Sequence, residues 1–103
     1  LGVAYKRDID DVRESPALDI MLMLKRHGAK VTYSDPYVPE LKADGGLDSS
    51  SEPPEEMAAA ADCVVIVTDH SRFDYAGIHD KARLIVDTRN ALKGTRSEKI
   101  VRL

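Results

Sequence analysis

Leu1-Gly2-Val3-Ala4-Tyr5-Lys6-Arg7-Asp8-Ile9-Asp10-Asp11-Val12-Arg13-Glu14-Ser15-Pro16 begins apolar, turns highly charged and closes on a helix start. Leu1 to Tyr5 suits an extended strand. The Ser15 hydroxyl can cap a helix, and Pro16 fits the first helical position, where its missing N–H is no loss. The stretch therefore reads strand, long polar loop, helix. In an open α/β sheet such a loop lies at the carboxyl edge of the strands, where ligands bind.

Outward from there, Pro16 to His27 predicts a helix. Ala17, Ile20, Met21, Leu24 and Gly28 recur at one-face spacing. Leu18, Leu22 and Met23 add apolar surface on other sides, more than a lone surface helix needs. A second covering is expected, from a neighbouring element or from a further domain. Lys25, Arg26 and His27 suit the C-terminal end of the dipole, and Gly28 supplies the cap. Ala29 to Ser34 reads as a second strand, ended by Asp35-Pro36. Strand, helix and strand with tight joints make a βαβ unit, so the two strands are expected to be parallel.

Tyr37 to Pro54 holds three of the five prolines, Gly45-Gly46 and a Ser49-Ser50-Ser51 run. It reads as a surface excursion with a short strand near Leu47, and no chemistry is placed on it. Pro54 to Ala61 predicts a short helix with acids in its first turn. Cys63-Val64-Val65-Ile66-Val67 lacks alternation, the mark of a strand covered on both faces, with Cys63 as a small core residue. Phe73 to Lys81 predicts a loop with a helical turn or two. Arg83 to Asp87 predicts a further strand, while Lys99 to Leu103 is open between an edge strand and a frayed end.

The fold class is therefore α/β, a three-layer Rossmann-like domain with a mainly parallel sheet. Four strands end in polar clusters: Tyr5-Lys6-Arg7-Asp8, Ser34-Asp35, Thr68-Asp69-His70-Ser71 and Asp87-Thr88-Arg89-Asn90. Right-handed crossovers favour placing the first strand between the second and third, so that Lys6 and Thr68 flank the crevice.

The chain has 103 residues, 43% hydrophobic and 32% charged, as in an ordinary globular domain. A net charge of −3 argues against nucleic acid or an anionic membrane as partner. The single cysteine excludes an internal disulfide and suits a reducing cytoplasm. No apolar run is long enough to span a bilayer. The abrupt opening inside an apolar run reads as a piece of a longer protein.

At the polar edge each group admits two readings. Lys6 and Arg7 can meet a phosphate or carboxylate, or pair with Asp8, Asp10 and Asp11 as a solvated loop, which residue type alone favours. Arg13 braces the loop or faces a ligand. Arg89, between Thr88 and Asn90, suits anion recognition or a salt bridge to Asp87 or Asp69. His70 lacks partners at metal-ligand spacing. Asp35 stands where dinucleotide folds read a ribose, yet the glycine fingerprint is missing, and an Asp before Pro reads as a turn former.

Gly2-x-Ala4-Tyr5-Lys6-x-Asp8-x-Asp10-Asp11-x-Arg13-Glu14-Ser15-Pro16-Ala17 resembles the opening of the C-terminal, UDP-binding domain of the UDP-glucose/GDP-mannose dehydrogenase family. Asp35-Pro36-Tyr37, Ala61-Asp62-Cys63-Val64-Val65 and Asp87-Thr88-Arg89-Asn90 are similar to its later motifs, in order. Thr68-Asp69-His70 and Asp87-Thr88-Arg89-Asn90 most resemble the branch acting on UDP-N-acetylhexosamines.

The resemblance implies a UDP-sugar-binding domain, residues 1–103, of an enzyme that oxidises a sugar C6 alcohol to a carboxylate by two hydride transfers to NAD. It implies substrate contacts at Tyr5, Lys6 and Arg89, and a reach of Arg13 toward NAD. NAD is held mainly by an N-terminal domain, and the catalytic cysteine lies in a central helical domain. Cys63 does not match that cysteine's motif, so the 103 residues alone are expected to be inactive. The implied partners are the UDP-sugar and those two domains, with the whole enzyme a homo-oligomer. The rival readings are a non-enzymatic receiver-like switch, which Asp10 and Asp11 superficially suit, and an assembly module.

Overall fold

The computed structural model describes residues 1–4, 6–8, 12, 15–43 and 46–103. In chain order its elements are α1 (Pro16–Arg26), β1 (Glu40–Ala43), β2 (Gly46–Ser49), α2 (Pro54–Ala60), β3 (Val64–Ile66), α3 (Tyr75–Lys81), β4 (Ile85–Asp87) and β5 (Ile100–Arg102). Strands β3, β4 and β5 form a parallel sheet in that order, with Val64 opposite Ile85 and Ile85 opposite Ile100. The 99–103 segment is thus an edge strand.

Leu1 continues the sheet beside β3. Its N–H donates to Val65 O at 2.7 Å, and Val67 N–H returns to Leu1 O at 2.9 Å, the alternation of a parallel pair. On the other side Gly2 N–H donates to Ser34 O at 2.9 Å. The opening segment therefore lies between residues 33–34 and β3, the expected order. Neither Leu1–Ala4 nor Ala29–Ser34 forms a regular strand, however. The next amides, Val3 and Ala4, donate to the Asp35 carboxylate at 2.8 and 3.2 Å, while Tyr33 O accepts from Ser51 N–H at 2.8 Å. A side chain and a crossing loop replace the ladder.

Burial alternates along β3. Val64 and Ile66 enter a core with Ala58 of α2, Ile78 of α3, Ile85 and Ile100. Val65 and Val67 turn to the opposite face, against Ala17 and Met21 of α1, Val3, Tyr33, Val38 and Leu41. Helices thus cover both faces, which explains the unbroken apolar run and makes the domain three-layered.

Helix α1 begins as its sequence dictates, with Ser15 Oγ accepting Ala17 N–H at 3.2 Å. Gly28, at φ 91°, ends it. Its stripe is narrower than expected. Ala17 and Met21 are buried, whereas Leu24 is 39% and Met23 61% exposed. The 37–54 excursion is an antiparallel hairpin, β1 with β2, Leu47 lying in β2. It is less superficial than expected, because Val38 and Leu41 fill the α1-side core. Helix α3 realises the expected helical turns, capped by Asp74, whose Oδ1 accepts Gly77 N–H at 3.2 Å.

Cys63 is not a core residue. It stands exposed one position before β3, with its thiol near Val64 O at 3.8 Å. Being at the amino end of the strand, it lies on the far side of the sheet from the polar clusters.

Candidate functional site at the carboxyl edge

The polar segments that follow the strands converge on one edge, held together by a buried carboxylate. Asp35 is 1% exposed. Its Oδ2 accepts the Val3 and Ala4 amides and lies 2.8 Å from His70 Nε2, while its Oδ1 accepts Tyr37 N–H at 2.8 Å. The last bond is the expected Asx turn. The others tie the opening segment to the end of β3.

His70, fully buried, links this hub to the charged loop. Its Nδ1 accepts the Asp8 N–H at 2.8 Å, so the imidazole proton resides on Nε2 and points to Asp35. The rings of Tyr37 and Phe73 pack tilted against the imidazole, at 4.8 and 5.7 Å between centroids, and Tyr75 donates its hydroxyl to His70 O at 2.6 Å. Burial pushes the Tyr75 phenol well above its usual range, with Asp69 adding to the effect.

Asp8 adopts φ 61°, a left-handed conformation that Asp tolerates better than most residues. Its carboxylate accepts Ser71 N–H and Ser71 Oγ–H, both at 2.8 Å. Those two bonds hold the Asp8 carboxyl below its ordinary value. Arg7 meets Asp69 at 2.6 Å, and that bond raises the guanidinium further. Of the two readings open for Arg7, an ion pair is realised, and its described partner, Asp69, comes from another loop.

Lys6 is exposed on the same turn. Arg89 comes to this edge from the end of β4: its Nε donates to Val67 O at 2.8 Å, which lays the guanidinium across the end of β3. The turn beneath Arg89 is braced by Asp87, whose carboxylate accepts the Arg89, Ala91 and Leu92 amides at 3.1, 3.0 and 2.9 Å. The structure thus brings Lys6, Arg7 and Arg89 to the edge where strand order reverses.

Thr68 does not flank the crevice as expected. It is fully buried and donates its hydroxyl to Ala4 O at 2.5 Å. Gly2 lets the two segments approach that closely. Tyr5 and Arg13, the other two expected contacts, lie outside the described residues, as do Asp10 and Asp11.

Sequence reasoning missed the Asp35–His70–Asp8 chain. Its one local signal was that His70 and Asp35 both stand in the polar clusters that follow apolar segments. Asp35 also bears on dinucleotide binding. Its oxygens are taken up by three amides and an imidazole, so it cannot read a ribose, and this chain does not fit NAD through that fingerprint. Among the described residues no cluster suits a metal ion.

Residues 1–94 match the model of the "UDP-glucose/GDP-mannose dehydrogenase family, UDP binding domain". The chain belongs to this family. A UDP-glucose 6-dehydrogenase of Rhizobium meliloti is 39% identical over 97 residues, 87% of this chain and 22% of that protein. A UDP-N-acetyl-D-mannosamine dehydrogenase of Pyrococcus horikoshii is 36% identical over 98 residues, 90% of this chain and 21% of its own length. Among solved structures, the UDP-N-acetyl-mannosamine dehydrogenase of Staphylococcus aureus superposes with a TM-score of 0.71 at 32% identity, over 99% of this chain and 24% of its own. This UDP-binding domain therefore spans roughly a fifth of its relatives' length, and it resembles dehydrogenases of both named substrates.

Proposed function

We propose that the domain, residues 1–103, binds the UDP part of a UDP-sugar at the carboxyl edge of the sheet, as one unit of an NAD-dependent 6-dehydrogenase that oxidises the sugar C6 alcohol to the uronic acid. The observation that carries this is the placing of Lys6 and Arg89 around one strand-order reversal in a chain of net charge −3. A nucleoside diphosphate needs cations fixed near its phosphates, and Arg89 is fixed by its own Nε bond. Lys6 supplies a point charge from the turn that Asp8 and His70 hold. Tyr5 adds contact to the nucleotide sugar, and Arg13 reaches toward NAD.

The relatives' remaining length leaves room for an N-terminal domain that holds NAD, which accepts the hydride, and a central helical domain with the catalytic cysteine. Cys63 does not serve in its place. It sits at the wrong end of β3, and desolvation pushes its thiol pKa up, away from the thiolate. The domain alone is accordingly inactive. Closing it over the substrate excludes water and holds C6 in place for oxidation. The Thr68-Asp69-His70 and Asp87-Thr88-Arg89-Asn90 sequences favour the UDP-N-acetylhexosamine branch. The parent enzyme is read as a cytoplasmic homo-oligomer, in keeping with the lone thiol and the exposed apolar side of α1.

An NMR titration with UDP, with UMP and NAD as controls, tests the reading. With half a site present, a Kd on the order of millimolar is expected, about −4 kcal/mol. Shifts should cluster at Lys6, Thr88 and Arg89 and be larger for UDP than for NAD. In the parent enzyme Arg89→Ala should raise KM or lower kcat by tenfold or more, about 1.4 kcal/mol or above. Unchanged kinetics and shifts elsewhere would remove Arg89 from the site.

A further inference from the structure

The Lys6–Asp8 turn is held by an unusual set of bonds for a surface loop. A fully buried imidazole reaches up from the sheet and accepts the Asp8 amide, and the Asp8 side chain is clasped by Ser71 next to that imidazole. The imidazole's other nitrogen is engaged by Asp35, itself locked by three amides. The tautomer is thereby chosen from below. Asp35 accepts only from Nε2–H, which leaves Nδ1 as a bare acceptor, and a bare acceptor is what the Asp8 amide requires. The left-handed backbone of Asp8 aims that amide inward.

We propose that His70 is a positioning residue for nucleotide binding: locked as the Nε2–H tautomer by Asp35, it fixes the Lys6–Asp8 turn and so presents Lys6 to the phosphates of a nucleoside diphosphate. The inference rests on Lys6 being a phosphate contact, as proposed above, and adds the side chain that holds Lys6 in place. The mode of action is geometric. A lysine on a loose loop must lose backbone as well as side-chain freedom on binding, whereas a pinned turn has lost the former already.

Two substitutions divide the two ends of the imidazole. His70→Gln places an amide nitrogen near the Nε2 position, keeping a donor for Asp35 and losing the acceptor for Asp8. His70→Asn places an amide oxygen near the Nδ1 position, keeping the acceptor. In His70→Gln the Asp8 amide should exchange with solvent about tenfold faster, the loss of one hydrogen bond, and affinity for UDP should fall severalfold. His70→Asn should restore much of both. Imidazole nitrogen shifts of the unsubstituted protein should show the Nε2–H tautomer, and this measurement stands if a variant does not fold.

An Nδ1–H tautomer, or equal Asp8 protection in His70→Gln, overturns the proposal. If His70→Gln frees Asp8 and UDP affinity is unchanged while Lys6→Ala weakens it, His70 does not position Lys6 and the Lys6 contact stands. If neither variant alters UDP affinity, the Lys6 contact itself is wrong and the positioning role falls with it.

Discussion

At Gly2, φ is 81°, and a β-carbon there would meet Thr68 O at 2.3 Å and Thr68 Cβ at 2.7 Å. Both obstacles are close to rigid, since Thr68 is buried and bonded to Ala4. Gly2→Ala should therefore cost about 2–4 kcal/mol, strain and overlap together, measured by urea unfolding. Asp35→Asn keeps the shape and presents an N–H where three amides and an imidazole already donate. A loss of about 3 kcal/mol is expected by the same assay. The acid limb of stability follows from Asp8. Its carboxyl lies below the ordinary value of 3.8, so it binds its proton less readily folded than unfolded. Its contribution is complete above that value and is lost as pH falls through the lowered one. Asp8→Asn should flatten this acid limb, as followed by circular dichroism.

Helix α1 was legible because its signals are local. The Ser15 cap, Pro16, the basic last turn and Gly28 all act within a turn or two. Ser15→Ala should remove about 1 kcal/mol of stability in thermal unfolding, and Met21→Ala about 2–4 kcal/mol. Met23→Lys, on the exposed side, should change the stability of this chain by no more than about 0.5 kcal/mol. A larger loss would mean that a second copy covers that side. Ala29–Ser34 shows where local reading ends. Its β-branched and aromatic residues suit a strand, but the ladder it would join is taken over by Asp35 and by Ser51, contacts no propensity reveals. Val38 and Leu41 were hidden likewise, each flanked by prolines and charges that spoke for a surface loop. Of the proposed contacts, Lys6 directly follows an apolar run and Arg89 stands three residues past Leu84–Val86, so both lie where a strand-ending cation is visible in sequence. His70 and Asp35 are 35 residues apart, and only the crossover brings them together.

For the molecule as a whole, the two cores differ in how far along the chain their members lie. On the α2–α3 side, nearly all of the core comes from residues 57–100, with Leu1 the exception. On the α1 side the core joins residues 3–41 to Val65 and Val67. Loop closure is cheaper for the first set, so it is the natural nucleus, and the second must wait for the opening segment to thread between residue 34 and β3. Folding should thus be polarised. Ile78→Ala is expected to slow refolding with little change in the unfolding rate, whereas Met21→Ala should mainly speed unfolding; stopped-flow chevrons separate the two. The edge that gathers Lys6, Arg7 and Arg89 would then be the last part of the molecule to assemble and the first to come apart.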